Sequence, residues 1–215
     1  IPNLNITAFD FNIIQIEHCI HKISAIEKSK LKSLNVNNTN PKMLNQCGKF
    51  ESMFRLLQFL FIEFISSKEE LKFFFSDNSN NLDRQKIITK WTQSKYWKVI
   101  FYQVFCDKFI HSIFDKTVTQ NAESDSFPKY FEDIFLNGLK RENSNNNPWL
   151  HHIFLGKYLS GKCLPYIESN QKLNIEFIHG QLTDVKEISK FGVISLSNIF
   201  DWSNDSLVKR WANYL

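Results

Sequence analysis

The sequence predicts a mixed α/β protein: a parallel, doubly wound sheet assembled from the two ends of the chain, with a large, mainly α-helical insertion between them. Three observations carry this. A short β-prone run near the start passes directly into an amphipathic stretch, period-two alternation returns only after residue 170, and the roughly 120 residues between are helical in their periodicity. The implied division places 1–34 and 170–215 in the sheet-bearing part and 35–169 in the insertion. With 6 Gly and 5 Pro the chain is too poor in turn residues for a β-sandwich, which needs a turn signal about every 8–12 residues.

Leu4 to Asp10 is the first expected strand, and it ends in an acid. Ile13, Ile16, Ile20 and Ile23 follow at helical spacing within a helix expected from Asn12 to about Lys30. Asn35 to Asn45, Asn-rich and carrying Pro41, reads as a loop. Lys49 to Phe75 is a strong helical segment through Phe50, Met53, Phe54, Leu57, Leu60, Phe61, Phe64 and Ile65. A polar break at Asp77 to Asp83 precedes a second long helical stretch, Trp91 to Phe114, and Thr117 to Ser126 is a further loop. Phe127 to Leu139 reads as another helix, and Arg141 to Asn147 as a loop. Pro148 suits the first turn of the helix expected from Trp149 to Tyr158, where a missing amide proton costs nothing. Leu173 to Ile178 alternates as a strand and Gly180 ends it. Thr183-Asp184 offers a cap for a short helix at Val185 to Ser189, Gly192 to Leu196 reads as a further strand, and Asp205 to Leu215 as the last helix.

Composition narrows function. Hydrophobic residues make up 43% and include 21 Phe, ample for a core, whereas a formal charge of +4 without a run of five basic residues gives no case for nucleic acid. Cys19, Cys47, Cys106 and Cys163 are widely spaced and lack a CxxC or a nearby His pair, so no metal site or disulfide frame is indicated and a reducing, cytoplasmic setting fits. His151 and His152 are adjacent and therefore diverge on a helix, and His18 and His21 lack a third ligand. The longest apolar stretch, Leu56 to Ile65, is shorter than the roughly 18 residues of a spanning helix. The abrupt start reads as a cut within a domain.

Ligands of a doubly wound sheet bind beyond the carboxyl ends of its strands, so the polar residues there are the candidates. Asp10 is the first: a carboxylate at that point accepts from both ribose hydroxyls of a nucleotide, or else caps the following helix. The second group runs from Ser195 through Ser197, Asn198 and Asp201 to Trp202, either a substrate-placing edge or a plain turn into the last helix. The third is Asn147-Pro148-Trp149-Leu150 with Gly156, Tyr158 and Leu164-Pro165-Tyr166, a lid or a helix end.

Together these clusters resemble the S-adenosylmethionine:diacylglycerol 3-amino-3-carboxypropyl transferases of betaine-lipid synthesis. Ala8-Phe9-Asp10-Phe11-Asn12 with Gln15 is similar to that family's acidic-loop motif, Asn147 to Leu150 and its followers to the mid-chain signature, and Leu196 to Trp202 to the strand-end motif. Ile13 and Ile14 depart from the proline turn usual there, and no Gly-rich loop precedes Asp10.

The resemblance implies a Rossmann-like S-adenosylmethionine-dependent transferase core, present in part. It implies that Asp10 binds the cofactor ribose, that Phe9 or Phe11 and the Gly180-Gln181-Leu182 turn flank the adenine, and that Asn12, Gln15 and Ser195 complete the cofactor site. Ser197, Asn198 and Asp201 line the meeting point of sulfonium and acceptor, with Asp201 or, after it, His179 as the base. The implied acceptor is a hydroxyl of a lipid such as diacylglycerol or another small molecule, met at the membrane surface by the aromatic insertion, whose alternative role is ordinary packing. A methyltransferase and a non-catalytic partner subunit of the same fold are the competing readings. All of them require Asp10 and the Ser197 cluster to converge on one crevice.

Overall fold

A computed structural model describes residues 4–37, 39–40, 42–114, 123–168, 174–197, 199–200 and 203–215. The chain is mixed α/β and divides into two units, residues 1–30 with 170–215 and residues 31–169.

The first unit opens with β1 (Asn5–Asp10) and α1 (Ile13–Glu27). Between them Asp10 Oδ1 accepts from the Asn12 amide at 2.7 Å, an Asx turn, and Asn12 Oδ1 accepts from the Ile14 amide at 3.1 Å. Asn12 is therefore the cap of α1, supplying an acceptor for one of the helix's four unpaired amides. Helix α1 lies against the sheet and buries Ile16 and Ala25.

The second unit is helical. After α2 (Leu31–Leu34), the long segment read from Lys49 to Phe75 forms α3 (Lys49–Phe64) and α4 (Lys68–Phe74). The break falls at Ser66-Ser67 because Ser67 leaves helical geometry to accept from the Glu70 amide at 3.1 Å. Helix α5 (Asn81–Gln93) begins inside the expected polar break, capped by Asn80. Its buried side chains are only Arg84, Ile88 and Trp91, too sparse for a visible apolar stripe. Cys106 splits the next stretch into α6 (Trp97–Phe105) and α7 (Asp107–Ile113), and α8 (Phe127–Lys140) follows.

Asn147 caps α9 (Pro148–Leu150), accepting from the Trp149 amide at 3.0 Å, and the chain then widens into a π-helical turn, His151–Leu155. Gly156 ends it in the left-handed conformation, φ +67°, so the helix expected to reach Tyr158 stops earlier. A short α10 (Pro165–Glu168) closes the unit.

Aromatic rings fill this core. Phe61 meets Trp91 and Phe154 edge-on, with centroids 5.0 and 5.1 Å apart, while Phe105 stacks on Phe131 at 4.1 Å. Each such side chain contributes about 1.5–3 kcal/mol by leaving water. The two indoles buried in this core, Trp91 and Trp97, have their N–H groups met by carboxylates, Glu70 at 2.5 Å and Glu132 at 2.9 Å respectively.

The chain re-enters the first unit at β2 (Asn174–His179), which pairs with β1 in parallel, Asn5 opposite Asn174 through Asp10 opposite His179. The sheet has these two strands among the described residues. Two expected elements change after it. The helix expected at Val185 to Ser189 is replaced by 3₁₀ turns at Leu182–Asp184 and Ile188–Lys190, because Gln181 and Asp184 cap each other one turn earlier than Thr183 would. Gly192 to Leu196 is not a strand: it runs at the surface, with Val193 87% exposed, and among the described residues no neighbouring strand edge pairs with it. Helix α11 (Asp205–Tyr214), capped by Asn204, ends the unit.

Candidate functional site at the carboxyl ends of the parallel strands

Parallel pairing brings the last residues of β1 and β2 side by side, so Asp10 and His179 are direct neighbours at one edge of the sheet. Their side chains share a face, because residues opposite each other in register point the same way. The ladder continues one step further: the Gly180 amide donates to the Asp10 carbonyl at 3.0 Å.

The side chain that caps α1 is that of Asn12, and the Asp10 carboxylate is half-buried. Its Oδ1 accepts from the Asn12 amide, and its Oδ2 has no partner among the described residues. It therefore keeps acceptor capacity for two donors. His179 is exposed, with Nε2 3.0 Å from the Phe11 carbonyl. A carbonyl only accepts, so the ring donates through Nε2, and in the neutral tautomer Nδ1 holds the lone pair.

Around this pair the other candidates take distinct places. Phe9 is half-buried in β1, whereas Phe11 is 78% exposed just beyond the strand, and Asn12 and Gln15 are exposed at the start of α1. Gly180 is constrained by its neighbour: a Cβ there would come within 2.5 Å of Asp184 Oδ2, the atom that accepts from the Gln181 amide. Gln181 is exposed and its Oε1 accepts from Arg210 at 2.9 Å, while Leu182 is fully buried and belongs to the packing. Ser195 and Ser197 are exposed in the loop that replaces the expected strand, with Ser197 at φ +50°, a left-handed conformation that costs a non-glycine residue about 1–2 kcal/mol. They thus sit on a surface loop, not at a strand end. Asn198 and Asp201 lie outside the described residues.

The mid-chain cluster belongs to the helical unit. His151 is completely buried, its Nε2 2.7 Å from the Asn145 carbonyl, and its ring lies edge-on to Phe75. Burial pushes its pKa below the ordinary histidine value, reinforced by the charge of Lys162 and opposed by the Asn145 carbonyl. Tyr158 is likewise buried, and desolvation lifts its phenol well above the usual range. Gly156 packs against Gln58, whose amide donates to the Phe154 carbonyl at 3.1 Å. These contacts are structural.

Sequence reasoning passed over a cleft of about 510 Å3 on the first unit, lined in part by Thr7, Glu176 and Ile178. Strand alternation was the available signal, since it puts Thr7 and Glu176 on the face away from Asp10. Among the described residues no three His, Cys, Asp or Glu side chains cluster to hold a metal ion, and no helix is long and apolar enough to cross a membrane. No family model, curated protein or solved structure matches the chain.

Proposed function

We propose that the first unit is a Rossmann-like nucleoside-binding fragment that uses S-adenosylmethionine to transfer a 3-amino-3-carboxypropyl group to the hydroxyl of a lipid or similar acceptor. The supporting observation is the pairing of Asp10 with His179 at the carboxyl ends of two parallel strands, the position where such sheets receive nucleotides. The residues fit the group: Asp10 retains acceptors for both ribose hydroxyls, and the exposed Phe11 ring offers an aromatic face for adenine beside them.

When bound, the sulfonium supplies an electrophilic carbon and a neutral thioether leaving group. Asp10 would hold the ribose, and this positioning would select the propyl chain over the methyl by deciding which carbon the acceptor meets. His179 would take the acceptor's proton at Nδ1, the base that activates the hydroxyl toward the carbon the cofactor supplies. The Phe11 carbonyl orients the ring by accepting a hydrogen bond from Nε2–H at 3.0 Å.

Incubation of the protein with S-adenosylmethionine and diacylglycerol vesicles tests this reading. Methylthioadenosine is the expected product. S-adenosylhomocysteine instead assigns a methyltransferase, and binding without turnover a non-catalytic subunit; both overturn the proposed reaction.

A further inference from the structure

The cleft of about 510 Å3 is a site separate from the Asp10–His179 edge. Thr7, Glu176 and Ile178, which contribute its floor, alternate with Asp10 and His179 along the two strands, so they face the opposite side of the sheet. Thr7 and Glu176 are register partners, placing a hydroxyl beside a carboxylate. Val185 and Phe191 add apolar wall, and the exposed Lys186 also lines the cleft.

The wall is held in place by independent contacts. Gln181 and Asp184 cap each other at its start, and the Tyr214 hydroxyl donates to the Val185 carbonyl at 2.6 Å. A wall fixed in advance loses little entropy when a ligand arrives. The charges are just as specific. Lys190 is engaged by Glu187 at 2.5 Å, whereas among the described residues neither the Glu176 carboxylate nor the Lys186 ammonium has an ion-pair partner. Asp184, the remaining charged group of the lining, is engaged by the Gln181 amide, so the groups left open are one carboxylate, Glu176, and one ammonium, Lys186, which with the apolar wall complement a small zwitterion. The volume lies in the range of small-molecule pockets, about 300–1,000 Å3.

We infer that this cleft binds an α-amino acid with an apolar side chain, its ammonium on Glu176 and Thr7, its carboxylate on Lys186 and its side chain against Ile178, Val185 and Phe191. The inference does not depend on a nucleoside at Asp10.

Three probes of one shape test it: L-leucine, isoamylamine, which lacks the carboxylate, and 4-methylpentanoate, which lacks the ammonium. Titrated into the isotope-labelled chain, L-leucine is expected to shift the amide resonances of Thr7, Glu176 and Ile178 with a Kd of about 1 mM or tighter. Each half-ligand binds at least about tenfold more weakly, a loss of roughly 1.4 kcal/mol. Glu176→Gln and Lys186→Ala, both at exposed positions, each weaken L-leucine by a similar factor, while Asp10→Ala leaves it unchanged. Absence of shifts at these residues up to about 10 mM L-leucine, equal binding of all three probes, or shifts confined to other residues overturns the inference.

Discussion

At the scale of single residues, three positions matter most: Asp10, Gly156 and His151. Asp10 matters because Asn12 has already taken the capping role, leaving the carboxylate oriented by one amide and open to donors. Gly156 is fixed by backbone and space together: its φ is +67°, and a Cβ would meet Gln58 Oε1 at 2.9 Å. Gly156→Ala is therefore expected to cost about 1–2 kcal/mol from the left-handed backbone alone, read as a lower urea midpoint with an unchanged slope. His151 is buried with its pKa depressed, so the unfolded chain takes up a proton that the folded chain resists. Stability from this residue is complete above about pH 6.5 and is lost as the pH falls from there toward the depressed folded value. Urea titrations at neutral and mildly acidic pH should show the loss. A variant in which His151→Gln removes the titrating ring should show less of it.

At the scale of elements, capping decides where helices begin and end. Asn12→Ala should cost about 1 kcal/mol, seen as a lower thermal midpoint without loss of the folded far-ultraviolet spectrum. The sequence made β1, α1, α3, α8 and α11 visible because each has either an unbroken apolar period or a cap followed by one. It hid α5, where Arg84 occupies a core position by donating to the carbonyls of Ser79 and Glu142. A charged residue there interrupts the apolar pattern that periodicity detects. The period-two run Gly192 to Leu196 misled for the opposite reason: alternation describes a strand's faces but says nothing about whether a neighbouring edge exists. The expectation for Ser195 and Ser197 moved with it, from strand end to loop, whereas Asp10 and His179 were legible because both strands that hold them formed.

At the scale of the whole molecule, the chain joins two units of different character. Residues 31–169 form one continuous stretch with their own aromatic core, and expressed alone they should unfold in a single cooperative transition. The first unit depends on chain ends joined by the β1–β2 pairing, and it carries the proposed nucleoside edge. Its site was readable only to the extent that residues distant in sequence could be matched by their places at strand ends.

The most direct test of the central claim is calorimetric titration of S-adenosylmethionine into the wild-type chain and into an Asp10→Ala variant. The account predicts measurable binding to the wild type and a loss of at least about tenfold in the variant, the roughly 1.4 kcal/mol of charge-assisted hydrogen bonds to the ribose. Equal affinity in the two proteins, or no binding to either, contradicts it.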